Sequence, residues 1–159
     1  MVTAEDLTAC ELFRDLTPGE LEQIAAIAHK RTYEPGELIC VEADRADRLF
    51  ILDQGRVQVN IHLQSSLEPN GELTIEEVEP GCVFGWSSLV KQRRFTASAR
   101  ALEPVTVLIV GADDLNDLFD RDAHIGFVVM KQLAEVIASR LRHTRAVCHD
   151  LDGEDSDED

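Results

Sequence analysis

The chain has 159 residues, enough for one domain with a real core, and its 44% hydrophobic and 29% charged content is that of a globular protein. A net charge of −16 argues against nucleic acid as a partner, because an acidic surface repels phosphates. No apolar run approaches the length of a bilayer span, and the N-terminus lacks the basic start and apolar core of a signal peptide.

In chain order, the first segment, residues 3–16, places Leu7, Leu12, Phe13 and Leu16 at loose helical spacing. Thr17-Pro18-Gly19-Glu20 then reads as a helix start, with Thr17 as N-cap, Pro18 at the first position and Glu20 closing a capping box. The predicted helix runs through Leu21, Ile24, Ala25, Ile27 and Ala28 and stops near His29. After the turn at Glu34-Pro35-Gly36-Glu37 the texture is that of strands. Residues 38–41 form a short run, and residues 49–52 are apolar on both faces. Residues 56–63 alternate cleanly, with Val57, Val59, Ile61 and Leu63 opposed to Arg56, Gln58, Asn60 and His62. A polar loop with a hairpin tip at Pro69-Asn70-Gly71 leads to an answering strand at residues 72–79. A continuous apolar strand follows at residues 105–110, so the class predicted is mainly β with flanking helices, a sandwich or jelly-roll barrel.

The C-terminal third returns to helix, a short one over residues 112–119 and a long one over residues 125–146, about 33 Å at 1.5 Å per residue. The apolar residues of the long helix wrap more than one face, which implies one contact with the barrel and one with a second copy of the helix. Met130, Leu133 and Ile137 are the predicted dimer contacts. Residues 150–159 carry seven acidic residues and no basic one, too charged and too poor in apolar groups to order themselves. The expected layout is therefore a domain over residues 1–149, with its dimerisation helix at 124–146, and a disordered acidic tail at 150–159.

The chain is organised around residues 81–101, GCVFGWSSLVKQRRFTASARA. This stretch reads as a short strand, one helical turn opening at Gly85, a basic loop and a further strand from Phe95. Gly85 permits a sharp turn or a close approach to a ligand. Ser87 and Ser88 stand at the mouth of the turn, with Lys91, Arg93 and Arg94 beside them, a plausible cradle for a small anion.

Several phrases along the chain, LFRDLTPGELEQIA, YEPGELIC, DRLFILDQGRVQV, VFGWSSLV and TASARAL, come in an order that resembles the cyclic-nucleotide-binding domain of the catabolite-activator and Fnr type. The resemblance implies a β jelly-roll (double-stranded β-helix) barrel with two N-terminal helices and a short and a long C-terminal helix. It also implies that the central stretch is a phosphate-binding cassette. There a Gly-Glu pair opens the small helix, the Glu takes the ribose 2′-hydroxyl, and a downstream Arg, with a Ser or Thr beside it, pairs with the cyclic phosphate. Here Gly85 matches, but Trp86 stands at the Glu position, Phe95 at the Arg position and Thr96 at the hydroxyl, with Arg94 one residue early. A one-residue shift on a strand reverses the face, so Arg94 serves only if a bulge re-aims it. The loss of the bidentate phosphate partner implies that cAMP and cGMP are not held in the usual way.

The expected function is a stand-alone regulatory or signalling module, dimeric and acting through a protein partner. The alternative is a sensor for another small anionic or nucleotide ligand held by Ser87, Ser88, Thr96 and Arg94 against Trp86. Trp86 itself reads either as a stacking surface or as a plug that fills the pocket. No helix-turn-helix is expected after the long helix, and neither DNA nor a membrane is an expected partner. The five histidines are scattered, and no nucleophile–base pair is visible, so no metal, cofactor or catalysis is assigned. Cys10, Cys40, Cys82 and Cys148 are widely spaced and read as reduced thiols of a cytoplasmic protein.

Overall fold

The structure, a computed structural model, describes residues 1–63, 71–91 and 93–154, with side chains described as far as Ala146. The elements are α1 (Ala4–Leu7), α2 (Pro18–Ala25), β1 (Ala28–Tyr33), β2 (Leu38–Cys40), β3 (Arg48–Gln54), β4 (Val57–His62), β5 (Glu72–Val78), β6 (Val83–Phe84), a 3-10 turn (Trp86–Leu89), β7 (Ser98–Ala101), β8 (Val105–Gly111), α3 (Ala112–Arg121) and α4 (Ala123–Glu154). The strands form two four-stranded antiparallel sheets, ordered β1-β8-β3-β6 and β2-β7-β4-β5, the jelly-roll pairing expected.

The apolar patterning explains the layers. Phe50, Leu52, Val107 and Ile109 of the first sheet meet Val57, Val59, Ala99 and Ala101 of the second, forming a core between the sheets. The opposite face of the first sheet, Leu49, Ile51, Leu108 and Val110, packs on the helices with Leu12, Phe13, Ile24, Leu115, Ile125 and Val129. The central strands of this sheet are buried on both faces, which needs continuous apolar runs, and β3 (residues 49–52) and β8 (residues 107–110) supply them. The second sheet is buried on one face only; β4 alternates over Val57, Gln58 and Val59, but a register shift between Val59 and Asn60 breaks the predicted pattern, so that Asn60 is buried, Ile61 half-buried and Leu63 exposed.

The caps are those the sequence encodes. Thr17 accepts from the Glu20 amide at 3.3 Å, and Glu20 accepts from the Thr17 amide at 3.0 Å. The first predicted helix is shorter than expected. After the single turn of α1, successive turns at Cys10, Phe13 and Leu16 carry Leu12 and Phe13 into the core without a helix.

The second predicted helix also ends early, at Ala25, because β1 claims residues 28–33 as the partner of β8, from Ala28↔Val110 to Tyr33↔Val105. Only Tyr33 of β1 is buried, so no alternating pattern announces the strand, and pairing overrides local preference. The long helix exceeds its predicted end at Ala146 and runs to Glu154. Its backbone thus includes part of the segment expected as a disordered tail, and residues 155–159 lie outside the described residues. β4 and β5 pair from Val57↔Val78 to His62↔Glu72, while the predicted tip at Pro69 and Asn70 also lies outside them.

Candidate functional site

Gly85 is the pivot between β6 and the 3-10 turn. Its φ of +74° is in the left-handed region, where a side chain is disfavoured. A Cβ there would lie 2.7 Å from the Phe50 ring and 3.2 Å from that of Phe95, so the glycine is required by both conformation and space. Phe50 in turn stacks on Phe84 with centroids 5.1 Å apart and meets Phe95 at 6.0 Å. Phe95 is 5% exposed and belongs to the core between the sheets.

The loop before β7 fixes which residue points inward. The Phe95 amide donates to the Asp44 carbonyl at 3.0 Å, the Ala43 amide to the Phe95 carbonyl at 2.8 Å, and the Ala46 amide to the Arg93 carbonyl at 2.7 Å. Arg93 (φ +42°) and Ala43 (φ +71°) absorb the turn; the strand predicted from Phe95 is replaced by an isolated bridge between Arg94 and Arg45, with β7 beginning at Ser98. This ladder sends Phe95 in and Arg94 out. Arg94 is exposed, and its Nη1 donates to the Ala43 carbonyl at 2.8 Å. No bulge turns it toward the cassette. Arg93 is likewise engaged, donating to Asp113 at 2.7 Å and holding that carboxyl below its usual range.

The two serines divide. Ser87 lines the small space between the sheets, whereas Ser88 is fully buried elsewhere and its Oγ has no hydrogen-bond partner among the described residues. Thr96 lies at the rim of the same space and is exposed. What remains beside Gly85, Trp86, Ser87, Phe95 and Thr96 is a cavity of about 70 Å³, walled by Cys40, Val59, Ile75, Phe84, Ala97 and Ala99. Burial pushes the Cys40 thiol up to about 11, so it is an inert wall group.

Sequence reasoning missed Arg140. It lies on the buried stripe of α4, following Ile125, Val129, Leu133 and Val136 at helical spacing, and a charge on such a stripe must find partners. Its guanidinium sits 4.4 Å from the centroid of the Trp86 ring. It donates to the Val83 carbonyl at 2.7 Å and pairs with Glu76 at 2.8 Å and Glu11 at 3.2 Å. Burial outweighs the neighbouring guanidinium at Glu76 and holds that carboxyl above its ordinary value. Trp86 and Glu76 separate the small cavity from an open groove of about 810 Å³ between β5 and α4.

The remaining predicted residues lie on α4. Leu133 is 1% exposed within the core of its own chain, so the expectation that it pairs with a second copy is corrected. Met130 and Ile137 are exposed, in a row with Phe127, Ala134 and Leu141 at alternating spacings of three and four residues. The periodicity was legible; which of two apolar stripes faced the barrel was not. His124, to which the sequence assigns no role, places Nδ1 2.6 Å from Glu20 and ties α4 to α2. Among the described residues no group of His, Cys, Asp and Glu is arranged to hold a metal ion, and Cys10, Cys40 and Cys82 are free thiols.

A double-sheet jelly roll with a glycine-hinged 3-10 turn beside a pocket between its sheets is the architecture of cyclic nucleotide-binding domains. The chain belongs to the cyclic nucleotide-binding domain family, whose sequence profile matches residues 30–122. A Geobacter metallireducens GS-15 crystal structure, of a protein named for cyclic-nucleotide binding, superposes with a TM-score of 0.75 at 32% identity, covering 89% of this chain and 99% of that one. The Thermus thermophilus cyclic AMP receptor protein is 30% identical over 82% of this chain and 57% of its own length. The acetyltransferase Pat of Mycolicibacterium smegmatis is 32% identical over 78% of this chain and 34% of its own length. The chain therefore spans only part of the length of these curated relatives.

Proposed function

We propose that this domain is a regulatory module whose cassette no longer takes cAMP or cGMP, and which acts through contacts with other proteins rather than through catalysis. The observation that carries the reading is Phe95, buried at the position where the family resemblance expects the phosphate-binding arginine. Ligand pockets for small molecules run to about 300–1,000 Å³. The space left beside Phe95 and Trp86 is about 70 Å³, and among the described residues no guanidinium lines it. A cyclic phosphate placed there would lose its water without gaining a charged partner. Trp86 in this reading is a plug, held from behind by Arg140.

The row Phe127, Met130, Ala134, Ile137 and Leu141 has the spacing of a two-stranded coiled-coil seam and supports a homodimer through α4. Reduced thiols and the acidic charge suit a cytoplasmic protein that avoids nucleic acid. Among the described residues no helix is long and apolar enough to cross a membrane. The second reading, a sensor for a different small ligand, is favoured by one feature only, the hydroxyls of Ser87 and Thr96 at the cavity.

Trp86 is the only tryptophan, so its fluorescence separates the two readings. Titration with a panel of cyclic and linear nucleotides and small carboxylates is expected to leave the emission unchanged. A saturable response to any of them establishes the sensor and overturns the plugged pocket.

A further inference from the structure

The groups around Arg140 form an acceptor cage that engages all three nitrogens of its guanidinium. An indole face, two carboxylates and a main-chain carbonyl converge on it from four separate parts of the chain. Trp86 comes from the 3-10 turn, Glu76 from β5, the Val83 carbonyl from β6 and Glu11 from the segment after α1. Glu11 is itself anchored, since its Oε1 accepts from the Val83 amide at 2.9 Å and its own amide donates to the Gly81 carbonyl at 2.9 Å. The Arg140 side chain is 17% exposed, so this is a partly desolvated site rather than a surface pair. Charge-assisted bonds to an aromatic-stacked, planar guanidinium are among the stronger contacts a side chain makes.

We propose that Arg140 is a latch that, from the groove side of Trp86, docks the C-terminal half of α4 onto the 3-10 turn, β5 and β6 without any small molecule. The proposal rests on the reading that the adjoining cavity holds no cyclic nucleotide. It adds the consequence that the position of α4, and of the apolar row Ile137 and Leu141 it carries, is set by the chain's own side chain. Lysine is a poor substitute, because an ammonium cannot reach a carbonyl and two carboxylates in one plane while covering an indole.

The test is amide hydrogen exchange on the full chain, wild type against Arg140→Met and Arg140→Lys, with Trp86 emission followed in parallel. Methionine keeps an apolar stem on the indole and removes the charge, so it is the milder deletion. The latch predicts exchange in α4 from Val136 onward, and at Glu76 and Val83, faster by about tenfold or more in Arg140→Met, with β8 unchanged. It also predicts a red-shifted Trp86 emission and an intermediate Arg140→Lys. Unchanged exchange in α4, or an equal rise throughout the chain, overturns the latch. Millimolar cAMP added to the wild-type protein is expected to leave α4 exchange unaltered. Protection of α4 by the nucleotide instead overturns the ligand-free reading, an outcome distinct from a silent Arg140→Met.

Discussion

Replacing Phe95 by alanine tests the packing on which the functional reading stands. Phe→Ala changes in cores cost about 3–5 kcal/mol, the spread reflecting how far the site can collapse. Three features place this site toward the upper end. Phe95 is 5% exposed and its ring meets that of Phe50 at 6.0 Å. Its main chain is held on both sides by hydrogen bonds with Ala43 and Asp44, so the backbone cannot move in to fill the void. The new void would also merge with a cavity of about 70 Å³ already present. A loss of about 4–5 kcal/mol is therefore expected, a large part of the roughly 5–15 kcal/mol total of an ordinary domain. At about 2–4 °C per kcal/mol for a chain of this size, the midpoint should fall by about 8–20 °C. Urea unfolding followed by Trp86 fluorescence and by circular dichroism measures the change, with the denaturant slope unaltered. A loss below about 1.5 kcal/mol would mean that Phe95 is not packed in the core, and the argument from a filled pocket would fail.

Gly85→Ala combines a left-handed backbone with a Cβ 2.7 Å from the Phe50 ring, and should cost about 2–4 kcal/mol in the same unfolding assay. The His124–Glu20 pair makes stability depend on pH. Its hydrogen bond and charge contact with Glu20 raise the His124 pKa above 6.5, so that contribution is full below the unfolded value and is lost as pH rises through the folded one. Glu20 is lowered, first by its bond to the Thr17 amide and then by that to His124, so its share is lost as pH falls through its folded value. Stability should therefore decline from mildly acidic to mildly alkaline pH, and His124→Gln should flatten that slope in unfolding measured across the range. The homodimer proposed through α4 predicts that the wild-type chain sediments as a dimer at micromolar concentrations and Ile137→Glu as a folded monomer; a monomeric wild type would refute it. Leu133→Ala should leave association intact and lower stability by about 2–5 kcal/mol in urea unfolding.

What was legible in the sequence followed from local chemistry. The capping box at Thr17 and Glu20 and the apolar runs of β3 and β8 each have a cause within a few residues, and each appears where expected, whereas the alternation of β4 holds only to Val59, where the register shift with β5 buries Asn60 instead of Ile61. β1 does not, because its order comes from pairing with β8, seventy or more residues away in the chain, and its own side chains are mostly exposed. The residue types at Trp86 and Phe95 were readable directly. The direction of Arg94 was not, because it depends on a ladder between residues 43–46 and 93–95. Arg140 left one signal, a charge on the buried stripe of α4, but its partners Glu11, Glu76 and Trp86 are scattered over the chain and only the fold assembles them.

Calorimetric titration of the full chain with cAMP and with cGMP addresses the filled pocket most directly. With Phe95 and Trp86 in place, no saturable heat is expected for either nucleotide at affinities tighter than about 1 mM, the level of a non-specific contact. A one-to-one isotherm with a submillimolar dissociation constant would show that the aromatic wall opens to admit the sugar-phosphate, and would contradict the account.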